Sequence, residues 1–79
     1  MPEDIEIKVK RIVGDFIGLR PHELGRDYRL EKLGFDSLDM AALAIDIEDA
    51  FSIELEPAQI GEIKTIDDLI QAIEKAELA

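Results

Sequence analysis

Ser37 is the residue of this 79-residue chain best placed to take part in chemistry. It lies in GFDSLDM, residues 34 to 40, with Asp36 directly before it and Asp39 two positions after. A serine hydroxyl in such a setting can be an activated nucleophile, a helix cap, or the acceptor of a group that another protein attaches. Activation needs a base within hydrogen-bond reach. The single histidine, His22, follows Pro21 in a separate segment and reads as a surface residue, and no Gly-x-Ser-x-Gly elbow surrounds Ser37. Asp36 is the better cap, since its carboxylate can accept from the free N–H groups of a first helical turn. That weakens the cap reading of Ser37. The chain has no cysteine, which excludes disulfides, thiolate metal ligands and a cysteine nucleophile. Asp36 and Asp39 do not form a metal loop of the D-x-[DN]-x-[DN]-G type, so no metal site is expected.

Helices must position this serine. Ile5, Val9, Ile12, Val13, Phe16 and Ile17 recur at helical spacing, which predicts a first amphipathic helix over residues 3 to 17 ending at Gly18. Gly14 inside it suggests a close packing contact. Residues 18 to 36 form a long connection anchored by Leu19, Leu24, Tyr28, Leu30, Leu33 and Phe35, with a helical turn near Pro21 to Leu24. A second helix begins after Asp36, with Asp39 adding negative charge where the macrodipole favours it. Its apolar face is Met40, Leu43, Ile47 and Phe51. The segment SIELEP ends it, and its alternation does not make a strand because no partner strand is available. Pro57 at a first helical position starts a short third helix to Glu62. Thr65 and Asp68 form a capping box for a fourth, with Ile66, Leu69, Ile70 and Ile73 inward, to about Ala76. The expected fold is all-α: three main helices, one short helix and a long first connection, in a single domain over residues 1–79.

The net charge of −10 is unevenly distributed. Residues 1 to 35 carry seven acids and seven bases, whereas residues 36 to 79 carry twelve acids against Lys64 and Lys75. Nucleic acid is a poor partner for that second half. Basic protein surfaces suit it, because complementary fields speed encounter and select partners. On the second helix, Asp39, Asp46 and Asp49 fall on a stripe expected to face outward, opposite Leu43 and Ile47, with Glu48 beside it and Glu54 and Glu56 beyond. A solvated helix face would look similar, but the absence of lysines there favours docking. Charges interrupt every apolar run, so neither a signal peptide nor a membrane span is expected, and the chain reads as a soluble cytoplasmic monomer.

The stretch Gly34, Asp36, Ser37 and Leu38 resembles the phosphopantetheine attachment motif of acyl carrier proteins, in which Asp-Ser-Leu follows a glycine turn. The resemblance extends over nearly the whole chain, with ELEP in the family's loop after the second helix and TIDDLI at the start of its last helix. It implies a four-helix bundle of acyl-carrier type that is not an enzyme. It implies a 4'-phosphopantetheine, donated by coenzyme A, joined to Ser37 as a phosphodiester and carrying acyl groups as thioesters, in fatty acid or related lipid biosynthesis. The implied partners are a phosphopantetheinyl transferase and acyl-transferring or acyl-modifying enzymes with basic docking patches. Asp36, Leu38, Asp39, Asp46, Glu48, Asp49 and Glu54 are the docking residues it suggests. Phe35, Leu43, Ile47, Ile60, Ile63 and Ile70 would line an acyl groove, although core packing alone accounts for most of them. The sequence departs from the commonest pattern at Ala42, where an acid is usual, and at Phe35, where a smaller residue is usual. Those departures leave room for a carrier dedicated to polyketide, lipid A or aminoacyl and peptidyl assembly. From another class, an acidic helical interaction domain without prosthetic group is the rival reading.

Overall fold

The computed structural model describes residues 4–78. Helix α1 is Ile5–Ile17, followed by a 3₁₀ turn at Pro21–Glu23, then α2 at Ser37–Phe51, α3 at Pro57–Glu62 and α4 at Ile66–Leu78. The all-α expectation holds, and among the described residues the only extended pairing is a single antiparallel bridge between Arg29 and Thr65. Asp4 caps α1, its side chain accepting from the Glu6 N–H at 2.8 Å. Residue 3, included in the expected first helix, lies outside the described residues. Helix α4 runs two residues beyond the expected Ala76. No described helix is long and apolar enough to cross a membrane.

Among the described residues, α1, α2, α4 and the long connection share one core. Val9 and Val13 enter it from α1, Leu43 and Ile47 from α2, and Ile66, Leu69, Ile70 and Ile73 from α4. The connection contributes Leu24, Leu30 and Phe35, while Leu19 and Tyr28, also expected as anchors, remain exposed. Each fully buried Leu or Ile is worth roughly 1.5–3 kcal/mol, so the connection is held by the same force as the helices. Helix α3 has no fully buried side chain and rests on the bundle through half-buried Ile60.

Gly14 accounts for the tight exit from α1. The Gly18 and Leu19 N–H groups both reach back to the Gly14 carbonyl, at 2.7 and 3.0 Å, and Gly18 adopts φ +76°. A β-carbon on Gly14 would collide with the carbonyl oxygen of Leu19. The expected close contact is therefore with the chain's own next turn. At the other end of the connection, the bridge fixes residues 28–30 against residues 64–66. The Leu30 N–H donates to the Lys64 carbonyl at 2.9 Å and the Ile66 N–H to the Tyr28 carbonyl at 3.1 Å.

Candidate functional site

The chain turns into α2 at Gly34, whose φ of +102° suits glycine and little else. Phe35 follows and is buried, its ring 5.5 Å from that of Phe16 on α1. Phe35 and Met40 occupy the two positions of a hydrophobic staple, and both wall one groove. Asp36 is the N-cap. Its carboxylate accepts from the Asp39 N–H at 2.8 Å, and the Asp39 carboxylate accepts from the Asp36 N–H at 3.2 Å. Such caps are worth roughly 1 kcal/mol each. The reciprocal box was only half legible in the sequence, where Asp39 was assigned a charge role alone.

This arrangement places Ser37 in the first position of α2, exposed, with no hydrogen bond or ion pair to its side chain among the described residues. The hydroxyl opens on a surface groove of about 540 Å³ between α2, α3 and the connection. Phe35, Met40, Ile60 and Ile63 supply its apolar wall, and Arg29 and Lys64 stand among its charged lining. His22 is exposed in its 3₁₀ turn and does not line this groove. Among the described residues no group of three acids or histidines is arranged to hold a metal ion.

Three of the six expected acyl-groove residues do not line the groove. Leu43, Ile47 and Ile70 are fully enclosed in the core, between 0 and 2 % exposed, where they pack against other helices. Phe35, Ile60 and Ile63 remain. Helical periodicity identifies an inward face, but a groove wall and a core contact share that face.

The expected docking face also needs correction. Asp39, Asp46 and Asp49 do not stand opposite Leu43 and Ile47. Asp46 and Asp49 flank α2 on its α1 side, lining a shallow groove with Asp15, Ile12 and Phe16. Asp39, half-buried, lines a smaller one with Phe16 and Phe35. Glu48 is partly buried, and its carboxylate accepts from the Leu55 N–H at 2.9 Å, so it ties down the following loop. The outward crest of α2 is apolar: Leu38 is 81 % exposed and Ile45 64 %, with exposed Ala41 and Ala42 between them. Ile45 was missed in the sequence. At about 100° per residue, Leu38 and Ile45 share a face on the far side of the helix from Ile47, and that spacing was the available signal. Asp36, Asp46, Asp49 and Glu54 are exposed around this crest.

A family model described as "Phosphopantetheine attachment site" matches residues 8–73. The chain is also 34% identical over 74 residues to an acyl carrier protein of Thermotoga maritima, covering 92% of this chain and 91% of that one. The chain belongs to the acyl carrier family. An acyl carrier protein of Thermotoga maritima solved by crystallography superposes with a TM-score of 0.77 at 28% identity, covering 90% of this chain and 84% of that one. The carrier also resembles a segment of a non-reducing polyketide synthase of Emericella nidulans, 32% identical over 74 residues, which is 94% of this chain and 3% of the synthase. Proteins of the family carry a covalently attached 4'-phosphopantetheine. The residues here fit such a group: a free primary hydroxyl at a helix start, beside an open groove with an apolar wall.

Proposed function

We propose that Ser37 is the attachment point of the 4'-phosphopantetheine and that residues 1–79 act as one carrier domain. The observation that carries this reading is the exposure of Ser37 at the first position of α2, at the edge of the groove. In the attachment, the serine oxygen displaces adenosine bisphosphate from coenzyme A, a phosphodiester forms, and the hydroxyl proton leaves to the transferase. The terminal thiol then carries acyl groups as thioesters. The carrier lowers no barrier itself; Asp36 and Asp39 fix the helix start, and the groove offers the arm an apolar wall. A cytoplasmic setting, as a monomer, goes with this reading.

The partner surface is the start and crest of α2: Leu38 and Ile45 at its centre, with Asp36, Asp39, Asp46, Asp49 and Glu54 around it. A phosphopantetheinyl transferase and acyl-handling enzymes that set an apolar contact inside a basic rim fit this surface. Its central residues are apolar where Ala42 replaces the usual acid. That favours a second reading within the class, a carrier dedicated to one assembly pathway, of which polyketide work is supported by the synthase relative.

Intact mass after incubation with coenzyme A, Mg²⁺ and a promiscuous transferase tests the site. The wild type should gain one phosphopantetheine and Ser37→Ala none. An unmodified wild type, under conditions that modify a control carrier, would promote the interaction-domain rival. Leu38→Ala/Ile45→Ala should keep the thermal midpoint and lose about tenfold in transferase kcat/KM, equivalent to about 1.4 kcal/mol. An unchanged kcat/KM would remove the crest from the docking surface.

A further inference from the structure

We propose that Arg29 and Lys64 form a cationic rim that holds the phosphodiester of the arm against the groove between α2 and α3. The inference rests on the reading of Ser37 above and assigns two further residues to the same site.

Both residues line the groove on which Ser37 opens. They come from segments 35 residues apart in sequence, and the bridge between Arg29 and Thr65 brings those segments together. Its flanking bonds, from the Leu30 N–H to the Lys64 carbonyl and from the Ile66 N–H to the Tyr28 carbonyl, fix the backbone from which each cation extends. The charge distribution makes this placement conspicuous. Lys64 is one of two bases among the 44 residues from 36 to 79, and it stands at this groove.

Neither cation is committed to a strong partner. Arg29 faces Glu31 at 3.9 Å, with both side chains more than half exposed, a pairing worth little in water. Lys64 makes no ion pair of contact length among the described residues, and its charge acts only at longer range on Asp68. A phosphodiester offers a permanent negative charge and two free oxygens, which suit the planar fork of a guanidinium and the point charge of an ammonium. The start of α2 needs such help. Helix N-termini ordinarily attract anions, but here Asp36 and Asp39 place two carboxylates beside Ser37, and repulsion offsets the dipole. Countercharge for a phosphate on Ser37 is supplied across the groove. Glu31 and Asp36 are the acids lining that groove. The first is the weak partner of Arg29, and the second is occupied by the Asp39 N–H.

The test uses the holo carrier, verified by intact mass, with its ³¹P resonance and the side-chain nitrogen signals of Arg29 and Lys64 as readouts. Attachment of the arm should shift the Arg29 Nε and Lys64 Nζ signals. In Arg29→Gln/Lys64→Gln the ³¹P resonance should move toward that of the same phosphodiester in the urea-unfolded holo carrier and sharpen, with circular dichroism unchanged. Arg29→Lys/Lys64→Arg should restore it. A ³¹P resonance identical in wild type and double Gln variant would overturn the proposal. So would side-chain shifts that arise only when the arm carries malonyl and not as the free thiol, because the rim would then serve an anionic cargo. A chain that gains no phosphopantetheine mass sinks the reading of Ser37 along with this one. A holo chain with unmoved signals sinks this one alone.

Discussion

The two halves of the molecule use their charges in opposite ways. Before residue 36 the acids are balanced by bases, and ion pairs brace the chain. Glu6 pairs with Lys10 at 2.6 Å on α1 and with Arg26 of the connection at 3.0 Å, while Arg26 reaches Asp67 on α4 at 2.6 Å. From residue 36 onward there are almost no bases to pair with, and several acids instead accept backbone N–H groups. Asp36 and Asp39 cap α2, Glu48 holds the Leu55 N–H, and Asp68 holds those of Lys64 and Thr65. A carboxylate satisfied by backbone keeps its negative charge without needing a neighbouring cation. The second half can thus be well folded and strongly acidic at once. That combination fits the docking to basic partners proposed above, with the charge-balanced first half as its frame.

The contrast fails most visibly if the frame is overpacked. Gly14→Ala drives a methyl group into the Leu19 carbonyl, which is backbone and cannot swing away. Its cost should reach the upper part of the ~1–3 kcal/mol range of overpacked sites, read as a fall in urea midpoint. A loss below ~0.5 kcal/mol, the size of ordinary surface substitutions, would mean that the turn relaxes.

In the acidic half the corresponding weak point is an acceptor. Glu48→Ala leaves the part-buried Leu55 N–H without its partner and should cost about 1–2 kcal/mol. Glu48→Gln keeps a carbonyl oxygen there and should recover most of that stability while removing the charge. Equal losses in the two variants would show that charge, and not the hydrogen bond, is what Glu48 contributes. Ser52, which ends α2 with φ 55°, offers a smaller effect of opposite sign: Ser52→Gly should stabilise by roughly 0.5–1 kcal/mol, measured in the same unfolding assay.

The parts of this architecture that were legible in the sequence are those set by local rules. Asp36 before α2, Pro57 opening α3 and the Thr65–Asp68 box all act within four residues, so their positions could be read directly. The place of Ser37 at the start of α2 was legible for the same reason. Contacts across the chain were not. The Lys8 ammonium donates to the Ala50 carbonyl at 3.0 Å and stands 4.9 Å over the Phe51 ring, closing the end of α2 from 42 residues away. No pattern around either residue announces it. Glu48 reads as a docking acid from sequence because its partner, the Leu55 N–H, lies beyond the helix end, and Arg29 and Lys64 come to one groove only once the connection has folded back. Ile45 differs, because its exposed position follows from the periodicity of α2 alone.

Removing Arg26 sharpens the comparison most finely. Its ion pairs are exposed and therefore weak in water, so Arg26→Gln at low salt should lower the thermal midpoint only slightly. Salt should then separate the two halves. Added NaCl screens the repulsion among the twelve acids after residue 35, which raises the midpoint of the wild type, but it also weakens the Arg26 pairs. Arg26→Gln has no such pairs to lose and one more net negative charge, so its midpoint should climb more steeply. Near 1 M, where screening acts within about 3 Å, the two proteins should converge. Acid should act differently. The Lys10 and Arg26 contacts hold the Glu6 carboxyl below its ordinary range, and the Lys64 and Thr65 N–H groups do the same for Asp68. Carboxyls lowered in this way contribute stability that is fully present above the ordinary carboxyl range near pH ~4 and is lost as pH falls through the folded values. The Arg26→Gln deficit should therefore stay constant from about pH 7 to about pH 5 and shrink only in the acid limb, as Glu6 becomes protonated in both folded and unfolded chains. A deficit that persists in 1 M salt and at acid pH would mean that Arg26 braces the frame through its packing, and that charge balance is not what holds the first half together.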